Sequence, residues 1–391
     1  MAGGGGDGAP PRTLYLPPGF TATVFTRLSV PGARALAVGP AGEVYVSVSR
    51  YGAVDVLVDR DADGFADGRE QAAADLLCPH GLAVHDGWLY VAQTGQVTRF
   101  ALSADPLAPL EMPGETVAAG LPESPCAPHG YRPLALAPAE DALYLAIGSS
   151  CDVCVERGLG APWRARVWRF PLAAPGPGVE VARGLRNVTD LAINPWDWSL
   201  WGVSPERDDM GDDTPPDLIT RIEPGADYGW PFCYRGPDDA WHPDPLVPPP
   251  SGGCDGLTVA SFLYQAHSAP VGLAFHDGRG LPPEFGPSLF VALHGSWGHS
   301  TGVGYKVVRI PLDAAGSPSG PPQDFATGWL AAPSERWHAP LDAWGRPVDV
   351  VVGPDGALYV SDDKSGAIYR FAHAGTPEAP AALEVPAAPA E

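Results

Sequence analysis

GLAVHDGWLYVA (residues 81–92) is an apolar run, an Asp-Gly turn and a second apolar run carrying aromatics. Alternating apolar residues broken by such a turn predict a β-hairpin. The phrase returns as RALAVGPAGEVYVSV (34–48), PLALAPAEDALYLA (133–146), DLAINPWDWSLWGV (190–203), GLAFHDGRGLPPEFGPSLFVAL (272–293) and VDVVVGPDGALYVSD (348–362). Its anchors, Leu36, Leu82, Leu134, Leu191, Leu273 and Val350, lie 46, 52, 57, 82 and 77 residues apart. A hairpin recurring at that period marks a repeat architecture in which each unit buries its face against its neighbours. Six units predict an all-β fold, a six-bladed β-propeller. The first three intervals suit a four-stranded blade with modest loops; the last two leave room for insertions on blades four and five. FTATVFTRL (20–28) has no hairpin of its own, and one strand, AIYRFAH (367–373), follows the last repeat. The N-terminal strand is therefore expected to complete blade six and close the ring, removing exposed sheet edges. The propeller would span 16–373, with a flexible linker at 1–15 and a flexible Pro/Ala-rich tail at 374–391.

With 391 residues, 48 Gly and 47 Pro, the chain suits one propeller better than several ordinary domains. No apolar run approaches the roughly 18 residues of a membrane span. The start, MAGGGGDGAPPR, lacks the charged-then-apolar pattern of a signal peptide and reads as a linker. A net charge of −22 argues against nucleic acid or an anionic membrane as partner. Six cysteines suggest three disulfides in an exported protein, periplasmic or extracellular. Cys233 and Cys254 flank the blade-four insertion and are expected to pair. Cys151 would then bridge to Cys154, leaving Cys78 with Cys126; the alternative for Cys151-Asp-Val-Cys154 is a zinc half-site, for which no second pair follows at ribbon spacing.

In a propeller the loop before each innermost strand and the loop after the second strand open on one face. The loops before the repeats carry Arg34, His80, His129 with Arg132, Arg186 with Asn187, and Arg346, and blade five supplies His294, Trp297 and Lys306 after its second strand. Any one arginine could simply tie adjacent blades through loop carbonyls. A whole ring of cations around one axis is costly unless an anion sits among them, so a polyanionic ligand is expected. On the same face SPERDDMGDDTPPDL (204–218) crowds Glu206, Asp208, Asp209, Asp212, Asp213 and Asp217 around Gly211. Hard oxygen donors beside a glycine suit calcium, a solvated acidic loop being the plainer reading.

HGYR (129–132), GSSCDVC (148–154), GLRN (184–187), DYGWP (227–231), HGSW (294–297) and GRPVDVVVGPDGALYVSDDKSGAIYRF (345–371) resemble the sorbosone dehydrogenase and soluble glucose dehydrogenase family, which has relatives among pyranose dehydrogenases. The resemblance runs from about Leu16 to Phe371. It implies a propeller that holds pyrroloquinoline quinone (PQQ) and calcium, oxidises a sugar by hydride transfer to the quinone, and passes electrons to an external acceptor such as a cytochrome or quinone. It also implies that Arg186, Asn187, Lys306 and Arg346 contact the PQQ, with His80, His294 and Trp297 at the same mouth. Calcium would lie at Gly211, Asp212 and Asp213. His129 matches the family's catalytic histidine, and Arg132, three residues on, is expected to serve the catalytic group with it. The chain has HGYR where the family often has HWTR, moving the aromatic to Tyr131, and HGSWGH where it often has HGSWNR.

DRDADGFADGRE (59–70) places Asp59, Asp61, Asp63, Asp67 and Glu70 at the ligand positions of an EF-hand loop without flanking helices. Its position after the third strand of blade one predicts a structural calcium clip on the opposite face. Two other classes fit a six-bladed ring: a lactonase with calcium gripped by inner-strand acids, a position here expected to be filled by cations, and a non-catalytic propeller binding protein or glycan.

Overall fold

The computed structural model describes residues 12–124, 126–137, 139, 141–156, 162–172, 176–250, 253–330, 343–373 and 382–384. In the hairpin at 81–92, Asp86 and Gly87 both have positive φ (48° and 77°), the backbone of a two-residue turn whose twist matches the strands it joins. His85 faces Trp88 across it, and Leu82 faces Val91. Each of the six hairpins forms the two inner strands of a four-stranded antiparallel sheet.

Blade one is Ala33–Val38, Val44–Val48, Ala53–Val58 and Gly68–Ala73, and blade two is Leu82–His85, Trp88–Ala92, Gln96–Ala101 and Glu115–Ala119. Blade three is Leu134–Ala137, Ala142–Ile147, Arg166–Pro171 and Val179–Arg183. Blade four is Asp190–Ile193, Leu200–Ser204, Asp217–Arg221 and Phe262–Tyr264, and blade five is Pro270–His276, Ser288–Leu293, Lys306–Pro311 and Gln323–Ala326. In blade six Pro347–Val352, Leu358–Asp362 and Ala367–His373 are joined by Phe20–Arg27, with Phe20 opposite His373. The expected closure by the N-terminal strand is thus what the chain does. Thr13–Tyr15, within the stretch expected to be a linker, pairs with Ala382–Glu384 from the expected tail, and Leu14 is fully buried. Residues 1–11, 374–381 and 385–391 lie outside the described residues.

The blade-four insertion holds a small hairpin, Cys233–Arg235 with Trp241–Pro243, stapled by Cys233–Cys254. Cys78–Cys126 joins the approaches to blades two and three, and Cys151–Cys154 closes a short ring, so all three pairs form as expected.

All six hairpin anchors line a channel of about 230 Å³ along the propeller axis. The expectation of cations at this centre is corrected: the channel carries two acids, Asp190 and Asp349, and the cations stay in the loops above. Asp190 accepts the backbone N–H of Leu273 in the next blade and of Leu191, both at 2.8 Å. Asp349 accepts those of Leu36, across the closing seam, and Val350, both at 2.7 Å. Burial pushes both carboxyls well above their ordinary range, and at Asp190 the nearby Asp349 adds to the rise. These acids act as blade ties, one at seam four–five and one at seam six–one.

Candidate active site at the propeller mouth

The loop entering blade one, the turn Ser49–Tyr51 and the loop leaving the second strand of blade six enclose a cavity of about 300 Å³. Among the described residues, Arg34, Arg50, Arg346 and Lys364 line it against a single acid, Asp363. Arg34 donates to Asp363 at 2.8 Å and lies over the Tyr131 ring at 4.4 Å. Tyr131 is stacked in turn on His80, 4.6 Å between centroids. His294 bonds the other oxygen of Asp363 at 2.9 Å, and Arg346 donates to the His294 and Gly295 carbonyls at 3.0 and 2.8 Å. Although burial works against it, the His294 contact and the charges of Arg34 and Arg346 hold Asp363 far below the usual carboxylate range. Among the described residues, one fixed negative charge does not balance this set. Arg34 Nε, Ser49 Oγ and, behind Tyr131, His80 Nδ1 are buried with no hydrogen-bond partner among the described residues. Such orphaned polar atoms are costly and point to a missing ligand.

His129 stands at the rim of the same mouth, half-buried, on a single 3₁₀ turn (Pro128–Gly130) that follows an extended approach. Its Nδ1 lies 2.9 Å from Ser149 Oγ and 3.2 Å from the Ser149 carbonyl. Ser149 Oγ gives its own proton to the Cys151 carbonyl at 2.6 Å, so it accepts from His129. That assigns the proton to Nδ1 and leaves the Nε2 lone pair as the basic site. Burial, then the Arg186 charge, lowers His129 to about 4, and burial with Arg346 does the same at His294. His80 falls well below its ordinary value through burial and the charges of Arg34 and Arg132. All three imidazoles are neutral at neutral pH.

Four expected contacts are committed to protein partners. Arg132 is fully buried and donates to the carbonyls of Pro122, His129 and Tyr131 and to Ser124, because the loop turns its side chain inward to satisfy its own backbone. It is a loop tie, not a catalytic group. Arg132→Met is expected to cost about 2 kcal/mol of stability, since carbonyls are left without donors; an unchanged urea midpoint would contradict this. Lys306 opens the third strand of blade five and points outward, where Nζ meets Asp324 of the outermost strand at 2.6 Å. Asn187 is buried, with Oδ1 packed against Gly148. Arg186 is 4% exposed, and its nitrogens are committed to Asp152, Asp208 and the Pro205 carbonyl.

The blade-four acids disperse instead of converging, since like charges without a cation each seek a donor. Asp217 accepts the backbone N–H groups of Glu206 and Ala269, and Asp212 is held by Ser300. Burial, chiefly, raises Glu206 to about 8 and Asp217 to about 6. Gly211, at a left-handed φ of 95°, turns its carbonyl to His267 Nε2 at 2.9 Å, and Asp213 is exposed. Trp297 is 55% exposed. On the other face the carboxylates of Asp59, Asp61 and Asp67 converge to within 4.8 Å, and Asp59 Oδ1 is buried without a partner. Asp63 and Glu70 fall outside this group: Asp63 caps the Phe65 N–H, and Glu70 points to solvent from a strand.

Several mouth residues escaped the sequence reading. His267, in QAHSAP, precedes blade five, and Asp363 and Lys364 follow the second strand of blade six; the loop rule that found Arg34 and Arg346 applies equally to them. Asp152 and Ser149 lie in the loop after the second strand of blade three, on the same face, but their partners, Arg186 and Asp208 for one and His129 for the other, are not legible from that rule.

A family model described as TrAA12-like matches residues 252–374. A pyrroloquinoline quinone-dependent pyranose dehydrogenase of Coprinopsis cinerea is 29% identical over 199 residues, 43% of this chain and 26% of that protein. The chain spans about half or less of the length of the curated relatives it matches. An iodide structure of the Trichoderma reesei carbohydrate-active enzyme family AA12 has a TM-score of 0.80 at 18% identity, covering 95% of this chain and 100% of that one. The holo form of the pyranose dehydrogenase PQQ domain from Coprinopsis cinerea has a TM-score of 0.77 at 20% identity, covering 92% and 97%. The two structures share the fold of this chain, a six-bladed propeller, and the TrAA12-like family model matches it across its last two blades.

Proposed function

We propose that this propeller is a PQQ- and calcium-dependent sugar dehydrogenase with its site at the cationic mouth. The observation that carries the reading is the cavity of about 300 Å³ in which, among the described residues, four cations face one acid and Arg34 Nε and Ser49 Oγ are buried and unpaired. A polycarboxylate fits that deficit, because guanidinium forks bind carboxylates bidentately and keep their charge. The blade-four loop carries the oxygen donors that calcium takes, and to hold it there the Gly211 carbonyl and Asp212 would have to leave His267 and Ser300, their partners in this structure. When bound, PQQ supplies a quinone that accepts hydride, and calcium supplies Lewis-acid polarisation.

The chain's own part is to bind, orient and move one proton. Arg34 and Arg346 grip carboxylates, Asp363 keeps Arg34 in place, and His129 Nε2 takes the proton of the substrate hydroxyl. Trp297, partly exposed at the same mouth, would contact the cofactor. Two-electron oxidation of an alcohol carbon removes one hydride and one proton, and His129 receives the latter. Three disulfides suit an oxidising compartment, the periplasm or the outside of the cell, and the electrons leave to an external acceptor, a cytochrome or a quinone. Reconstitution with PQQ and calcium, followed by dye reduction over a panel of aldoses and pyranoses, is expected to give turnover with at least one sugar. Protein saturated with PQQ that reduces no dye with any of them would overturn the reading.

The Asp59, Asp61 and Asp67 cluster is proposed as a structural calcium clip tying the third and fourth strands of blade one. Calcium is expected to raise the melting temperature by a few degrees, and Asp59→Asn to abolish that part of the rise. An equal rise in the variant would remove the clip.

A further inference from the structure

A second cavity, of about 520 Å³, opens between blades three and four and has no place in the chemistry above. The blade-four insertion builds one wall. Its segment 225–230 runs beside the outermost strand of blade three, where the Val181, Arg183 and Gly184 carbonyls accept the N–H groups of Gly225, Tyr228 and Trp230 at 2.7, 3.0 and 3.0 Å. That pairing covers the edge of blade three and brings Trp230 and Phe232 to the mouth end of the strand. The indole N–H of Trp230 donates to the Asp152 carbonyl at 3.0 Å, which fixes the ring. The opposite wall is the loop after the second strand of blade three, with Glu156 and Arg164. Glu156 accepts the Ser150 hydroxyl at 2.8 Å, and Arg164 donates to the Gly148 carbonyl at 3.4 Å. Ser149, between those two partners, is the residue that holds His129, so the cavity and the proposed base share one loop.

We propose that this cavity is a saccharide-binding site that holds a neutral sugar chain beside the mouth. Among the described residues its lining sets three guanidinium groups, of Arg164, Arg166 and Arg183, against the carboxylates of Glu156 and Asp227. Behind them Glu180 pairs with Arg166 at 2.8 Å and lies 3.5 Å from Arg183, so the charges nearly cancel. The mouth cavity, with four cations and one acid among the described residues, calls for an anion; this one does not. It offers donors beside acceptors instead: Asp227 pairs with Arg183 at 2.9 Å, and the arginine side chain is 53% exposed. A sugar hydroxyl donates and accepts at once and is met by such mixed pairs. A sugar ring also has an apolar C–H face, for which the rings of Trp230 and the half-buried Phe232 are the counterpart. The volume lies within the roughly 300–1,000 Å³ of small-molecule sites. That the chain bound here is also the substrate at the mouth rests on the sugar-dehydrogenase reading; its binding does not.

The test is calorimetric titration of maltotetraose, cellotetraose and xylotetraose, with tetragalacturonate as the charged comparison, into the intact protein without PQQ. At least one neutral chain is expected to bind. Phe232→Ala is expected to weaken that binding about tenfold, through loss of the ring face, and Arg183→Met about threefold, through loss of a hydroxyl partner. No binding of any neutral chain, or tighter binding of tetragalacturonate than of all three, overturns the inference. So does unchanged affinity in folded Phe232→Ala. If that variant fails to fold, Arg183→Met, altered at an exposed side chain, decides: unchanged affinity there overturns the site. Binding that weakens in the variants of a protein that oxidises no sugar after loading with PQQ would sustain the inference and overturn the proposed function alone.

Discussion

Replacing His129 with alanine is expected to leave a folded protein that still binds PQQ and calcium but turns over at least a hundredfold more slowly, the usual loss for a general base. The expectation follows from the Ser149 contacts, which fix the proton on Nδ1 and free Nε2. A base must be unprotonated, so the rate falls as pH drops through the histidine's folded value. Burial and the Arg186 charge set that value at about 4 in the protein alone. A bound polyanion adds negative charge nearby and raises it, so the acid limb of kcat should lie above the value that an NMR titration finds without PQQ. Unchanged turnover in His129→Ala would move the role to His80 or His294.

Arg34→Met is expected to weaken PQQ binding by roughly 2 kcal/mol or about thirtyfold, since a charge-assisted bond is lost and a carboxylate is left unpaired. Arg346→Met should do the same and also cost stability, because the His294 and Gly295 carbonyls lose their donor. Lys306→Met is the informative control. Its ammonium is spent on Asp324 at the outer edge of blade five, so PQQ affinity should not move. Fluorescence titration of PQQ in the presence of calcium measures all three. Affinity lost in Lys306→Met and kept in Arg34→Met would reverse the assignment of the anion site.

Blade number, the closing strand and the disulfide pairs were legible because each depends on local pattern: alternation, a turn residue, a cysteine flanking an insertion. The face on which a loop opens was legible too, since strand direction fixes it. The direction of a side chain within that loop was not. Arg132 and Arg34 both enter a blade from the mouth, yet one is consumed by its own loop's carbonyls and the other reaches Asp363 across a seam. Which outcome occurs depends on acceptors many residues away. The same holds for the blade-four acids, where composition suggested a cluster and hydrogen bonding to Ser300, Ala269 and Arg186 distributed them.

The strand that seals blade six has a kinetic consequence. Thr21 bonds Ala372, 351 residues further along the chain, so the seam joins the first strand of the ring to the last. During synthesis the early strand emerges with no partner, and five blades follow before one exists. The open ring exposes strand edges throughout that interval. Contacts of such separation also make the final step slow, because a long loop is closed before it is rewarded. A chain cut just before 367–373 should accumulate as an aggregation-prone intermediate, and supplying that segment as a separate peptide should rescue it by adding the missing strand.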